Sequence, residues 1–170
     1  FTLIEPAELQ LMVDSIRLLN GWNITCFGDS DGFIEVSSSG GILSHQYAWS
    51  AGEMMLGDTT YQDQYDLAAG DYSLRITDSI GCILDTAFTL RQPNPLSVTE
   101  EIPRPYTGLY EIACAGDSTG AIYLTPFGGA DSTLNSYLWD TSAGYVENDT
   151  AKDQTGLPEG TYSVLVTDIN

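Results

Sequence analysis

Residues 24–32 of this chain, Ile24-Thr25-Cys26-Phe27-Gly28-Asp29-Ser30-Asp31-Gly32, return 88 positions later as Ile112-Ala113-Cys114-Ala115-Gly116-Asp117-Ser118-Thr119-Gly120. Tyr47-Ala48-Trp49 returns as Tyr137-Leu138-Trp139. Leu67 with Gly70-Asp71-Tyr72-Ser73-Leu74-Arg75-Ile76-Thr77-Asp78 returns as Leu157 with Gly160-Thr161-Tyr162-Ser163-Val164-Leu165-Val166-Thr167-Asp168, now 90 positions on. The two offsets differ by 2, so the copies differ by one small loop insertion. A third echo links Phe1-Thr2-Leu3 before Pro6 to Phe88-Thr89-Leu90 before Pro93. A repeat of this length is one small domain per copy. We expect a first unit over residues 1–93, with 1–6 doubling as the tail of a preceding unit, and a second over 94–170. The second copy stops before the counterpart of residues 83–90, so we expect it to lack a last strand. The chain also starts in mid-pattern at Phe1 and reads as a window on a longer protein.

Each copy reads as β throughout. Phe33-Ile34-Glu35-Val36 and residues 72–77, 121–125 and 162–167 are short, rich in β-branched and aromatic residues, and partly alternate apolar with polar. Gly40-Gly41, Ala69-Gly70, Gly128-Gly129 and Glu159-Gly160 punctuate them. Residues 8–19 have a helix-like look, but their β-branched content and the parallel at residues 96–98 favour a strand. About seven short strands per unit is the pattern of an immunoglobulin-like β-sandwich. The fold class expected is thus all-β, two tandem immunoglobulin-like sandwiches, with Trp49 and Trp139 in the cores. Arg91-Gln92-Pro93-Asn94-Pro95 is a short linker stiffened by proline.

Charge narrows the partners. Asp and Glu total 24 against 5 Lys and Arg, a net charge of -19. Such a chain repels phosphate backbones and anionic lipid, which argues against nucleic acid and membrane insertion. No stretch approaches the ~20 apolar residues of a membrane span.

Cys26 and Cys82 bracket the first unit, and Cys114 matches Cys26; the match for Cys82 would fall just past Asn170. A Cys26–Cys82 disulfide is expected, closing a loop worth roughly 4 kcal/mol in the chain-entropy model and implying an oxidising compartment. Three separated cysteines and one histidine do not make a zinc site.

Two motifs invite chemistry. Gly28-Asp29-Ser30-Asp31-Gly32 and Gly116-Asp117-Ser118-Thr119-Gly120 fit the Gly-x-Ser-x-Gly of hydrolase nucleophiles, which needs a strand-to-helix elbow and a histidine base. Here the motif sits between strands, and His45 is the only histidine. A tight turn, with no catalysis, is the expected reading. Calcium is the second possibility: Asp29 and Asp31 offer hard oxygens, and Asp78 would approach them if the disulfide formed. Gly32 falls at the fourth loop position, however, where an EF-hand wants glycine at the sixth. The alternative is that all three aspartates cap turns.

Asp precedes Ser or Thr at nine of its fifteen occurrences, where the 32 Ser and Thr residues predict about three by chance. Seven of these continue with a small or apolar residue or Thr. They resemble the O-glycosylation acceptors of secreted Bacteroidetes proteins, with Ser15, Thr59, Ser79, Thr86, Ser118, Ser132 and Thr150 as acceptors. Asn23-Ile24-Thr25 and Asn148-Asp149-Thr150 are formal N-glycan sequons.

Taken in order, Cys-x-Gly-x-Ser-x-Gly, a Gly-Gly turn, Tyr-x-Trp, Leu-x-x-Gly-x-Tyr-x-Leu/Val-x-Val/Ile-Thr-Asp and then Gly-Cys resemble the SprB repeat, found in very large surface adhesins of Bacteroidetes. The resemblance covers residues 26–93 and then 114–170. The first unit departs from it in a longer loop between Met54 and Tyr65. The resemblance implies type IX export, display on the cell surface, and a part in adhesion or gliding motility. Neighbouring repeats, surface polysaccharide or other surface proteins would be the partners. The rival is a carbohydrate-binding or spacer module of a secreted enzyme, which would need an aromatic platform from Trp22, Tyr61, Tyr65 or Tyr145.

Overall fold

The computed structural model describes residues 1–51, the backbone of 54–55, and residues 60–131, 133, 135–142 and 148–168. The chain divides into two compact units, Phe1–Pro93 and Asn94–Asn170. Among the described residues all regular structure is antiparallel β, and no helix is long and apolar enough to cross a membrane.

In the first unit, β1 (Gln10–Ile16), β2 (Gly32–Ser39) and β5 (Gln64–Leu67) form one sheet in the order β1-β2-β5. The facing sheet runs β4-β3-β6-β7, built from β4 (Met54–Met55), β3 (Gln46–Ala51), β6 (Gly70–Thr77) and β7 (Ile83–Leu90). Strict alternation explains why they pack face to face. Ile34 and Val36 of β2 and Tyr72, Leu74 and Ile76 of β6 point inward and are buried. Between them, Ser73 and Arg75 stay exposed. Trp49 of β3 sits at the centre, fully buried, its ring centroid 5.5 Å from that of Phe88 on β7. Its Nε1–H donates to the Tyr61 carbonyl at 3.2 Å, so the indole is buried without an orphaned donor. The helix-like stretch near residues 8–19 is the strand β1. Its hydrogen bonds go to β2 along almost their whole lengths, with one bulge between Val13 and Ser15.

Tyr72, near the start of β6, donates its hydroxyl to the Ala68 carbonyl four residues upstream, 2.8 Å away. Tyr162 does the same to Pro158 at 2.8 Å. This tyrosine corner, with the core tryptophan on the neighbouring strand, is the immunoglobulin-like arrangement.

Among the described residues, the second unit repeats the plan with fewer strands. β8 (Asn94–Glu101), β9 (Gly120–Gly129) and β11 (Gln154–Leu157) form a sheet in the order β11-β9-β8. β10 (Asn135–Thr141) pairs with β12 (Tyr162–Asp168) in a two-stranded sheet. In the first unit β6 is paired on both edges, by β3 and β7; among the described residues β12 is paired only by β10. The cores differ accordingly. Leu124, Trp139 and Leu157 are buried in the second unit, while Tyr162, Val164 and Val166 are only half-buried where Tyr72, Leu74 and Ile76 are closed over.

Two cores of unequal size predict two unfolding transitions, the second unit first. Leu74→Ala should lower only the later transition, by about 2–5 kcal/mol, as read from tryptophan fluorescence during urea unfolding. A single transition shifted as a whole would contradict it.

Candidate functional site

The repeated motifs fold into the two ends of the sandwich. At one end, the Asp29 N–H donates to the Cys26 carbonyl at 3.2 Å and Asp117 to Cys114 at 3.0 Å. Gly28 and Gly116 sit at the third turn position with φ of 88° and 85°, the left-handed conformation that a type II turn demands there. Gly-x-Ser-x-Gly is therefore a turn in both copies. Ser30 and Ser118 are exposed on it, whereas His45 lies at the opposite end, its ring between the Ser38 hydroxyl (2.7 Å) and the Gly40 carbonyl (3.1 Å). No nucleophile–base pair forms from these residues.

Asp31 closes the same turn. Its carboxylate accepts from the Thr25 N–H at 3.0 Å and from the Thr25 hydroxyl, and lies 3.3 Å from Arg17. Desolvation pushes its pKa up, but the Thr25 hydrogen bonds and the Arg17 charge together hold it below the usual carboxylate range. In the second copy Thr119 takes over, its hydroxyl accepting from the Ala113 N–H at 2.9 Å.

At the other end, the Asp78 carboxylate clamps two loops. Oδ2 accepts from the Ile42 N–H at 3.0 Å, and Oδ1 from those of Ile80 (3.0 Å) and Cys82 (2.8 Å). The Ile42 bond most of all, with those of Cys82 and Ile80, lowers its pKa against partial desolvation. Asp168 repeats the clamp, accepting from the Ala130 N–H at 2.5 Å. The clamp needs a glycine pair beside it. A Cβ on Gly40 would lie 1.8 Å from the Glu8 carbonyl oxygen, and one on Gly128 2.0 Å from that of Pro95. Only glycine lets the entering chain pass this close.

These positions correct the expected disulfide and separate the three calcium candidates. The cysteines are not bonded: Cys26, Cys82 and Cys114 are all thiols. Cys82 ends the turn before β7, its carbonyl accepting from the Asp78 N–H. Cys26 lies by the far end of β7, where the Arg91 carbonyl accepts from Asn23 and Ile24 and the Gln92 side chain from Gly28. The 8 residues of β7 thus separate them, about 25 Å of extended chain, against the ~7 Å Cα limit for a disulfide. The calcium constellation dissolves for the same reason. Asp29 and Asp31 are at the turn end and Asp78 at the clamp end, and the described residues contain no cluster of three or more His, Cys, Asp or Glu able to hold a metal.

Of the glycan acceptors, Ser79, Ser118 and Thr150 are exposed, while Ser15 and Thr86 are half-buried on β1 and β7. Thr59 and Ser132 lie outside the described residues, as does Tyr145. Asn23, in the first sequon, uses both side-chain atoms: Nδ2 donates to the Arg17 carbonyl and Oδ1 accepts from the Arg91 N–H. Tyr61 and Tyr65 are exposed, Tyr65 donating to Glu35 at 2.8 Å and lying 6.2 Å from the Phe33 ring. Trp22 is half-buried.

Sequence reasoning missed the Asp-Gln pair at the start of β5 and β11. Asp63 accepts from the Val36 N–H and Asp153 from the Leu124 N–H, both at 2.9 Å, and Gln64 and Gln154 are buried behind them. The signal was available, since Asp63-Gln64 returns as Asp153-Gln154 at the same offset of 90 as the tryptophans.

Alkylation of the folded, unreduced protein should label Cys82 and Cys114 at once and, after denaturation without reductant, all three cysteines. A mass 2 Da short of three thiols, with a Cys26–Cys82 cross-link, would contradict the structure. The clamp makes a pH prediction. A lowered Asp78 pKa contributes stability that is present above the ordinary carboxylate range and lost as pH falls through the lowered value. Asp78→Asn should therefore lower the first unit's melting temperature at neutral pH and flatten its decline below about pH 4. An unchanged acid profile would show that the carboxylate does not carry the clamp.

No curated protein matches the chain. The SprB repeat family model matches residues 22–54, the stretch that holds the Gly-Asp-Ser turn, β2, the glycine pair and the core tryptophan.

Proposed function

We propose that the chain is a non-catalytic structural and adhesive repeat module of a large secreted cell-surface adhesin, serving surface attachment and gliding motility. The observation that carries this is the SprB repeat at residues 22–54, supported by the same turn, clamp and tyrosine corner in the second unit. The chemistry agrees with a spacer. Ser30 and Ser118 sit on turns and His45 in a loop, and the net charge of -19 keeps an abundant surface chain solvated and self-repelling. The Asp-Ser and Asp-Thr sites that are exposed suit O-glycosylation after type IX export. Surface polysaccharide and other surface proteins are the partners this role implies.

A second reading has one observation in its favour. Tyr61 and Tyr65 are exposed together around β5, the kind of aromatic surface on which a sugar ring stacks.

Antibody raised against the chain should label intact, unpermeabilised native cells, and deleting the repeats should reduce attachment and gliding without affecting growth. Labelling that appears only after permeabilisation would overturn the proposal. Binding on a glycan array that is lost in Tyr61→Ala and Tyr65→Ala variants, with no attachment defect on deletion, would favour the carbohydrate-binding module.

A further inference from the structure

The outer faces of the two sheets are unequally equipped, and in the same sense in both units. In the first unit β2 turns Ile34 and Val36 inward, which sends Phe33 and Glu35 to the outside of the β1-β2-β5 sheet. Tyr65 of the neighbouring β5 lies beside them. Its ring centroid is 6.2 Å from that of Phe33 at an interplanar angle of 34°, and its hydroxyl donates to Glu35 at 2.8 Å. Tyr65 remains 55% exposed.

In the second unit β9 turns Leu124 inward and shows Tyr123, Thr125 and Phe127 on the outside of the β8-β9-β11 sheet. Tyr123 and Phe127 are 40% and 51% exposed, and four residues of strand set them about 13 Å apart. Opposite them on β8 stand Glu101 and Ser97.

The facing sheets carry no aromatic on the outside among the described residues. Across β3, β6 and β7 that face is Ala48, Ser50, Ser73, Arg75, Asp85 and Ala87. Across β10 and β12 it is Leu138, Asp140, Ser163 and Leu165. The aromatic sheet is also the one that the units build strand for strand, and β7 pairs only in the facing sheet, so neither aromatic face depends on β7. Packing does not account for the rings. Ile34 matches Ile122 and Leu67 matches Leu157, whereas Phe33, Glu35 and Tyr65 give way to Ala121, Tyr123 and Thr155. Each copy thus bears two aromatic side chains on the same face at different positions.

Carboxylates and hydroxyls border these rings: Glu35 in the first unit, Glu101 and Ser97 in the second. That mixture lacks the desolvated apolar centre of a protein interface. It suits a sugar, whose C–H face lies on an aromatic ring while side-chain oxygens take its hydroxyls. Charge selects among sugars. Arg17, opposite Phe33, is held by Asp31, and Lys152 by Asp153. The net charge of -19 repels uronates and sulfates, and a second copy of the chain as well.

We propose that each unit binds a neutral polysaccharide on this outer face. Sugar rings stack on Phe33 and Tyr65 in the first unit and on Tyr123 and Phe127 in the second, with Glu35 and Glu101 accepting from sugar hydroxyls. The site gives the adhesive role proposed above its partner, and rests on that role only for the source of the polymer.

Affinity electrophoresis of the purified chain tests it, in native gels cast with a neutral β-glucan, a galactomannan or dextran, and with alginate for contrast. At least one neutral polysaccharide should retard the chain, and alginate should not. Tyr65→Ala and Tyr123→Ala alter exposed side chains, so circular dichroism should be unchanged. Each should weaken the retardation, and the double variant should lose roughly tenfold or more in affinity. No retardation by any neutral polysaccharide would overturn the proposal, as would retardation that the double variant keeps or that alginate shares. Such a failure, read on the isolated chain, leaves surface display and attachment standing. Attachment indifferent to deletion of the repeats, with the gel shift intact, would instead sink the adhesive role and spare the site.

Discussion

Strand β6 runs between β3 and β7, and the solidity of the first unit follows from that double pairing. Its inner residues Tyr72, Leu74 and Ile76 carry the same apolar alternation as Tyr162, Val164 and Val166 on β12. The first three are closed from water and the second three are not. The side chains are comparable, so the neighbouring strand makes the difference. β7 brings Leu84, Phe88 and Leu90 over the core, and each side chain fully buried is worth about 1.5–3 kcal/mol. Alternation in a sequence therefore specifies which face turns inward, and a second neighbour decides how far that face is buried.

The acidity of the chain is handled by backbone. With 24 acidic residues and 5 basic ones, ion pairs cannot serve most carboxylates. Asp31, Asp63, Asp78, Asp131 and Asp153 accept from main-chain N–H groups of Thr25, Val36, Ile42 with Ile80 and Cys82, Thr133, and Leu124, Asp31 and Asp153 in addition to ion pairs with Arg17 and Lys152. Such bonds are charge-assisted, and they hold loops in defined turns. The exchange of Asp31 for Thr119 between copies shows what the turn requires. A hydroxyl makes the same bond to the backbone without the charge, so the position calls for a short acceptor.

The repeat, the β class, the tryptophan cores and the turn nature of Gly-Asp-Ser were legible in the sequence because each rests on local pattern. Alternation, glycine placement and self-similarity need no knowledge of strand direction. The cysteines were misread because pairing does need it. Cys82 stands next to β7 in sequence, and bonding to Cys26 would require β7 to end where it starts. The same error assembled Asp29, Asp31 and Asp78 into one candidate calcium site. Asp63 and Gln64 went unseen for another reason: the Val36 N–H that Asp63 caps is 27 residues away, and only the return of the pair as Asp153 and Gln154 marks it in the sequence.

With no disulfide, the long loops of the first unit are closed by hydrogen bonds at its two ends. Asp78 reaches Ile42 across 36 residues, and Asn23 reaches Arg91 across 68. A covalent bridge would restrict the unfolded chain as well as the folded one. These bonds exist only when both segments are already in place, so they leave the entropy of the unfolded state untouched and contribute nothing until the sandwich has formed. The glycine pair makes the dependence stricter. Gly40 admits the chain at Glu8 into contact, and that approach sets Gly41 and Ile42 against Asp78. Loss of the first contact thus withdraws the second. Stability gathered in this way is cooperative within a unit, and a unit built on it unfolds as a whole in preference to fraying from either end.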